Sequence, residues 1–150
     1  MQVNGGELGG AGIIAGAVSV GTGSGSGAVL APGFQSDDLR SPGTLTIQSS
    51  LTFNSDTTYE FQLNTSKRTA DDVLAGGVTI NTGAQFSFAG AGGALPVGTV
   101  FTAITNTSAN PIAGTFSNLP DGATFTSNGN TYQVSYEGGN GNDLTLTVVP

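Results

Sequence analysis

The 150-residue sequence contains no cysteine and no histidine. Without cysteine there is no disulfide scaffold and no thiol nucleophile. Without histidine the Ser-His-Asp triad and the usual zinc sites are excluded as well. Carboxylates are the main ionisable groups left for catalysis. The sequence therefore predicts a protein that is not an enzyme, with no catalytic residue, no cofactor and no metal ligand.

Basic residues are almost as scarce, since Arg40, Lys67 and Arg68 face ten acidic residues and the net charge is −7. Binding to nucleic acid or to an anionic membrane requires several lysines or arginines, so neither is expected as a partner. No apolar run reaches the ~18 residues of a membrane span, and no basic segment followed by an apolar one marks a signal peptide. Because residues 2–6 begin in the middle of a repeat, we expect a fragment of a larger protein.

The composition favours β-structure. Charged residues make up only 9% of the chain, and glycine contributes 25 residues. Disordered chains are poor in aromatic and β-branched residues, whereas this chain has eight phenylalanines, three tyrosines and regularly spaced valines and isoleucines. Exposed helix faces are usually built from alanine, glutamate, lysine and arginine, while threonine and serine suit strand surfaces. We therefore expect an all-β protein with little or no helix.

An internal repeat carries most of the fold prediction. Residues 51–61, LTFNSDTTYEF, align with residues 78–88, VTINTGAQFSF, at an offset of 27 residues. Shorter copies are found at residues 18–23 and 45–47. Each long copy alternates apolar and polar residues, passes through a turn and alternates again, which is typical of two short strands. The residues predicted to face inward are Leu51, Phe53, Phe61, Val78, Ile80, Phe86 and Phe88.

Stacking such units about 4.8 Å apart would bury their apolar faces in one continuous core. A period of 27 residues is long enough for one turn of a three-sided, right-handed parallel β-helix, or β-solenoid. Glycine pairs at residues 9–10, 76–77 and 92–93 would permit the tight corners. An antiparallel sandwich also uses short strands and glycine turns, and it stays open as the alternative.

We interpret residues 1–150 as a single domain whose character changes along the chain. Residues 1–50 predict thin coils with few large core side chains, residues 51–94 hold the clearest repeats, and residues 95–150 predict wider coils and a cap. Within the last part, Asn128-Gly129 between two alternating segments is a strong hairpin signal. Residues 100–104 and 144–148 are predicted strands. Such a cap is needed because an open solenoid end exposes core and unpaired backbone.

Four segments resemble the autotransporter-associated β-strand repeat proteins: GELGGAGIIAG at residues 6–16, LAPG at 30–33, SPGTLTI at 41–47 and GNGNDLTLT at 139–147. The resemblance extends over nearly the whole chain, although each motif is simple and the specificity lies in their order. It implies a passenger-like bacterial surface protein, secreted or held at the cell surface, with a long right-handed β-helix and no catalytic residues. No outer-membrane barrel follows residue 150 in this sequence.

Three groups of polar residues were weighed as sites. Asp37-Asp38 and Asp71-Asp72 are adjacent pairs, and neighbours on a strand point to opposite faces, so neither pair suits acid–base work. Polysaccharide lyases combine a β-helix with acidic residues and a basic proton acceptor, for which Arg68 beside Asp71 and Asp72 is the local candidate. The favoured interpretation is a solvated loop at residues 67–72.

Residues 138–143, GGNGND, begin like the calcium-binding nonapeptide G-G-x-G-x-D-x-U-x. The large apolar position falls on Thr145, however, and the motif occurs once, so a simple turn is the favoured interpretation. Scattered threonines and serines could bind a glycan, but no regular threonine array favours ice binding.

These observations predict a non-catalytic structural module of a secreted or surface protein. It would serve as a stalk or as a fibre built by head-to-tail self-association. The alternative is an adhesin that binds a surface glycan.

Overall fold

A computed structural model describes residues 1–36 and 39–150; the acidic pair Asp37-Asp38 lies outside the described residues. The described residues form strands, turns and bends with no helix, so the protein is all-β as predicted. The strands are β1 (Gln2–Val3), β2 (Gly6–Gly10), β3 (Gly12–Ile14), β4 (Val18–Val20), β5 (Ala28–Pro32), β6 (Phe34–Ser36), β7 (Leu39–Ser41), β8 (Thr44–Ile47), β9 (Leu51–Phe53), β10 (Thr57–Asn64), β11 (Thr69–Ala70), β12 (Asp72–Ala75), β13 (Val78–Ile80), β14 (Gln85–Ala91), β15 (Val100–Asn106), β16 (Thr124–Ser127), β17 (Asn130–Gly138) and β18 (Asp143–Val149).

Most strands belong to three sheets, and each sheet contains a run of four parallel strands. The first sheet has the order β1-β4-β9-β13, the second contains β2-β5-β10-β14, and the third contains β3-β8-β12-β15. The chain visits the sheets in rotation. We call each set of three successive strands, one in each sheet, a round; the four rounds are β1/β2/β3, β4/β5/β8, β9/β10/β12 and β13/β14/β15.

Antiparallel strands are added to this arrangement at three places. β6 and β7 form a separate two-stranded sheet within the second round, and β11 pairs with the end of β10 in the third. After β15, the third sheet continues through β18, β17 and β16, each antiparallel to its neighbour. The second and third sheets are therefore mixed, and only the first is purely parallel.

The predicted 27-residue repeat is confirmed as parallel pairing between the third and fourth rounds. Leu51 lies beside Val78 and Phe53 beside Ile80 in the first sheet. In the second sheet Phe61 lies beside Phe88, and the register continues over the whole of β14. Equivalent residues of the repeat thus sit on neighbouring strands, as side-by-side stacking requires, and the antiparallel sandwich does not describe this part of the chain.

The predicted inward residues form the core. Leu51, Phe53 and Phe61 are fully buried, Val78, Ile80 and Phe86 are at most 6% exposed, and Phe88 is partly buried against the same cluster. Glycines at the predicted corners, Gly10, Gly77 and Gly92, have φ values of 100°, 132° and 109°. This left-handed region is readily open only to glycine.

The core becomes larger along the chain. Before residue 51 the buried side chains of the described residues are aliphatic, including Val20, Leu30 and Ile47. From the third round on, aromatic rings take over. Phe116 has its ring centroid 5.1 Å from that of Phe53 and 5.6 Å from that of Phe86.

A C-terminal segment covers the fourth round. In the first sheet, the backbone of Ala113 exchanges hydrogen bonds with Val78 and Ile80. In the second, the Asn118 side chain accepts from the Phe86 amide and donates to the Phe86 carbonyl, as a neighbouring strand would. In the third, β18 pairs with β15.

The predicted hairpin is present within this segment. β16 and β17 pair across Asn128 and Gly129, whose φ values of 49° and 74° suit the turn. The Tyr136 hydroxyl of β17 donates to the Leu119 carbonyl and accepts from the Phe116 amide. Burial raises the pKa of Tyr136 to about 12, so the hydroxyl keeps its proton and this link at neutral pH.

Replacing Phe116 by alanine should destabilise the protein by about 3–5 kcal/mol, because the ring is fully buried and leaves a cavity between two rounds and their cover. Urea denaturation followed by far-ultraviolet circular dichroism measures this loss. Val97, which is 63% exposed, provides the control, and Val97→Ala should change stability by less than about 0.5 kcal/mol. Equal effects of the two substitutions would contradict the assigned core.

Candidate functional site

The most strongly hydrogen-bonded carboxylate is Asp56, in the turn between β9 and β10. It accepts hydrogen bonds from the backbone amides of Gly23, Gly25 and Thr22 at 2.7, 2.9 and 3.1 Å, and from the Thr22 hydroxyl at 3.0 Å. The amide of Gly23, followed by those of Thr22 and Gly25, holds the pKa of Asp56 well below its ordinary value, against a smaller opposing effect of desolvation. The carboxylate of the third round therefore organises a glycine-rich loop of the second.

Glycine is required where this loop meets Asp56. A Cβ atom on Gly21 would lie 2.2 Å from Asp56 Oδ1, and one on Gly25 would lie 3.0 Å from Oδ2. The sequence stage missed this contact, since Asp56 and its partners are more than 30 residues apart. The one available signal was the run of glycines at residues 21–27, which the sequence alone suggested was merely a thin coil.

The structure separates the two carboxylates of the Asp71-Asp72 pair. Asp71 is fully buried, and its carboxylate accepts from the amides of Gly43 at 2.9 Å and Gln62 at 3.0 Å. Asp72 instead accepts from the amide and hydroxyl of Thr105 at 3.1 and 3.0 Å. Both carboxylates join neighbouring rounds, in different sheets.

Arg68 lies in the turn between β10 and β11, with φ at 52° and its amide bonded to the Thr65 carbonyl. The lyase interpretation requires Arg68 to work with Asp71 and Asp72 on one substrate. Because Asp71 is buried and Asp72 is directed to Thr105, the geometry gives that interpretation no support.

The calcium-like segment at residues 138–143 forms the turn between β17 and β18. The amide of Gly141 bonds to the Gly138 carbonyl, and one Asp143 oxygen accepts from the Asn106 amide at 2.9 Å. Asp143 is 8% exposed. Its carboxylate thus secures the end of β15, and no group of three acidic residues suited to a metal ion is found in the described part of the chain.

Two carboxylates flank the end of β15, because Asp72 binds the Thr105 amide and Asp143 binds the amide of the next residue. Burial raises the pKa of Asp72; the Thr105 hydrogen bonds oppose the shift, and the charge of Asp143 adds to it. Asp56 and Asp72 therefore have pKa values shifted in opposite directions.

The outer face of the first sheet carries a single column of hydroxyls. Ser19, Thr52 and Thr79 are in register on β4, β9 and β13. Beside this column, Asn81 donates to the Asn54 side chain at 3.0 Å, and Asn54 donates to Ser19 at 3.0 Å. A column one residue wide is not the two-dimensional array that ice binding would need. The middle residue of each VSV, LTF and VTI triplet was the sequence signal for it.

A groove of about 180 Å³ lies between β14 and the C-terminal segment. Phe88 and Phe125 line it with ring centroids 5.0 Å apart, together with Leu119, Ala123 and Thr124. Both rings are partly buried. The sequence assigned Phe88 to the core and did not reveal that it also faces a groove.

Comparisons with protein-family models, with curated proteins and with solved structures found no match. The structure described for residues 1–36 and 39–150 contains no helix with the length and apolar character needed to cross a membrane.

The opposite pKa shifts predict opposite pH dependence for two isosteric variants. Asp56 stabilises the folded protein above its unfolded pKa of ~3.9, and this contribution is lost as pH falls toward the lower folded pKa. Asp56→Asn should therefore lose stability at pH 7 and differ less from the parent as pH falls below about 4. Thermal unfolding between pH 2 and pH 8 measures the effect.

Asp72→Asn is the matched comparison. Because the folded protein favours the protonated Asp72, the parent gains from protonation as pH falls through the folded pKa, and ionisation costs stability above it. Asp72→Asn should therefore lose less stability than Asp56→Asn at pH 7. The same loss in both variants at every pH would disprove the assigned environments.

Proposed function

We propose that the chain is a right-handed β-solenoid of four coils that serves as a non-catalytic structural module, a stalk, in a secreted or cell-surface bacterial protein. The observation that carries this proposal is the rotation of successive strands through three sheets, with parallel pairing from each round to the next. Each round is then one coil. The right-handed sense rests on the general preference of crossovers between parallel strands in one sheet.

A solenoid suits a stalk because each coil contacts only its neighbours, so that length follows from the number of coils. The carboxylates support this role. Asp56 joins the third round to the second, and Asp72 joins the third to the fourth. The side chains with the strongest chemical potential are thus engaged in holding coils together.

The location rests on sequence features. The resemblance to autotransporter-associated β-strand repeat proteins implies a bacterial surface, and the absence of cysteine suits a protein that crosses an oxidising periplasm. Low charge and many hydroxyl and amide side chains fit an exported repeat protein. A head-to-tail fibre stays a prediction, and the covered fourth round offers it less support than a stalk.

Inserting extra coils tests the stalk proposal. Residues 51–77 form one complete round, and one, two or three further copies would be placed after residue 77, with Asp56, Asp71 and Asp72 changed to asparagine in the inserted copies to avoid stacked charges. Each copy should lengthen the particle by about 4.8 Å. Small-angle X-ray scattering measures the maximum dimension, and circular dichroism checks that the chain remains β.

The control carries the same inserted residues in reversed order, which keeps length and composition but destroys the register. It should expand the particle irregularly and lower the unfolding temperature. If ordered and reversed inserts behave alike, coil-by-coil stacking is not the principle of this fold and the stalk proposal fails.

The adhesin is the second candidate, favoured by the groove between Phe88 and Phe125 and by Thr124 at its rim. Aromatic rings beside hydroxyls and amides can hold a sugar face by stacking. A glycan array probed with the parent and with Phe125→Ala decides this. Specific, saturable binding lost in the variant would establish the adhesin, and an array without specific binding would remove it.

A further inference from the structure

The first round forms an open end of the molecule. β1, β2 and β3 are the outermost strands of the parallel runs in the three sheets, and each pairs with a described strand on one side. A cavity of about 300 Å³ opens at this end, lined by Met1, Leu8, Ile14 and Leu45 among others. One end thus presents strand edges around an apolar opening.

This edge has few of the features that usually prevent association. Native edge strands are protected by lysine, proline, bulges or inward-pointing charges. β1, β2 and β3 contain no lysine or proline, and Glu7 is their only charged residue. Ile13 of β3 is 70% exposed and Met1 is 61% exposed.

The opposite end differs in every sheet. Ala113 covers the first sheet, Asn118 occupies a strand-like position on the second, and β18 extends the third. A head-to-tail fibre needs complementary surfaces at both ends, whereas only the first round offers a bare parallel edge. Association of like ends about a two-fold axis closes after two copies.

We propose that two copies of this 150-residue chain associate through their first rounds, with β2 paired antiparallel to β2 of the second copy. Leu8, the middle residue of β2, lies on the two-fold axis. Glu7 then faces Gly9 of the other copy, so the single charge on the edge does not oppose itself directly. The two Leu8 side chains close a shared apolar cavity.

The size of the edge predicts a weak dimer. The segment from Gln2 to Ile14 extends over about 45 Å at roughly 3.4 Å per residue, and a sheet is about 10 Å deep. The contact would bury about 450 Å² per copy, or about 900 Å² in total, which is just below the ~1,000 Å² of a stable interface. We therefore expect dissociation in the micromolar range.

Analytical ultracentrifugation of the purified chain over about 1–500 µM tests the proposal. The mass should rise from 14.8 kDa to twice that value and then stop. Ile13→Lys should raise the dissociation constant at least tenfold. Val97→Lys adds the same charge at a residue that is 63% exposed outside the first round, and it should leave the dissociation constant within about twofold.

A cysteine at the axis tests the register. Paired residues in an antiparallel ladder have Cα atoms about 4.5–5.5 Å apart, within the range for a disulfide, and the chain has no other cysteine. Mild oxidation should link Leu8→Cys to itself, whereas Ile13→Cys, which lies off the axis, should link poorly. Circular dichroism confirms that both variants are folded.

A monomer at all concentrations, a filament, or equal effects of Ile13→Lys and Val97→Lys would each overturn the dimer. A dimer in which Ile13→Cys links as well as Leu8→Cys would overturn its β2 register. These outcomes leave the stalk proposal intact, because coil insertion tests that proposal on separate variants.

Discussion

Parallel hydrogen bonding between equivalent segments of successive rounds is the constraint on which the rest of the structure depends. Because neighbouring strands run in the same direction and in register, residues with the same position in each round stack in columns. Apolar columns such as Leu51 on Val78 make the core, and polar columns such as Asn54 beside Asn81 run along its corners. A residue type is therefore useful here only if the next round offers a compatible neighbour, and this explains why the sequence repeats.

Asparagine and aspartate replace the charge networks that this chain lacks. Asp56, Asp71, Asp72 and Asp143 each accept backbone amides from another segment, and Asn118 pairs with both polar groups of Phe86. Backbone groups at turns and sheet ends must be satisfied if they are shielded from water. In a protein with three basic residues, carboxylates are more useful as acceptors for the backbone than as members of ion pairs.

The all-β class, the 27-residue parallel stacking and the Asn128-Gly129 hairpin were predictable, since each leaves a local or exactly periodic signal in the sequence. Other pairings were not, because rounds differ in length. Val18 pairs with Leu51 at an offset of 33 residues, and Val73 pairs with Ile104 at 31. The β6–β7 hairpin accounts for part of the longer second round. The contacts of Asp56 and the groove beside Phe88 escaped prediction for the same reason, since both depend on which round lies next to which.

The asymmetry between the two ends gives the chain a direction of folding. β16, β17 and β18 are joined by short turns and pair antiparallel, and such local contacts carry a small loop-closure cost, whereas each parallel round must close a loop of about 27 residues or more before it gains its hydrogen bonds. The antiparallel segment thus provides the template on which β15 and then the earlier rounds are added. Order spreads from the carboxyl end toward the small-residue rounds at the amino end, where each addition gains the least buried surface.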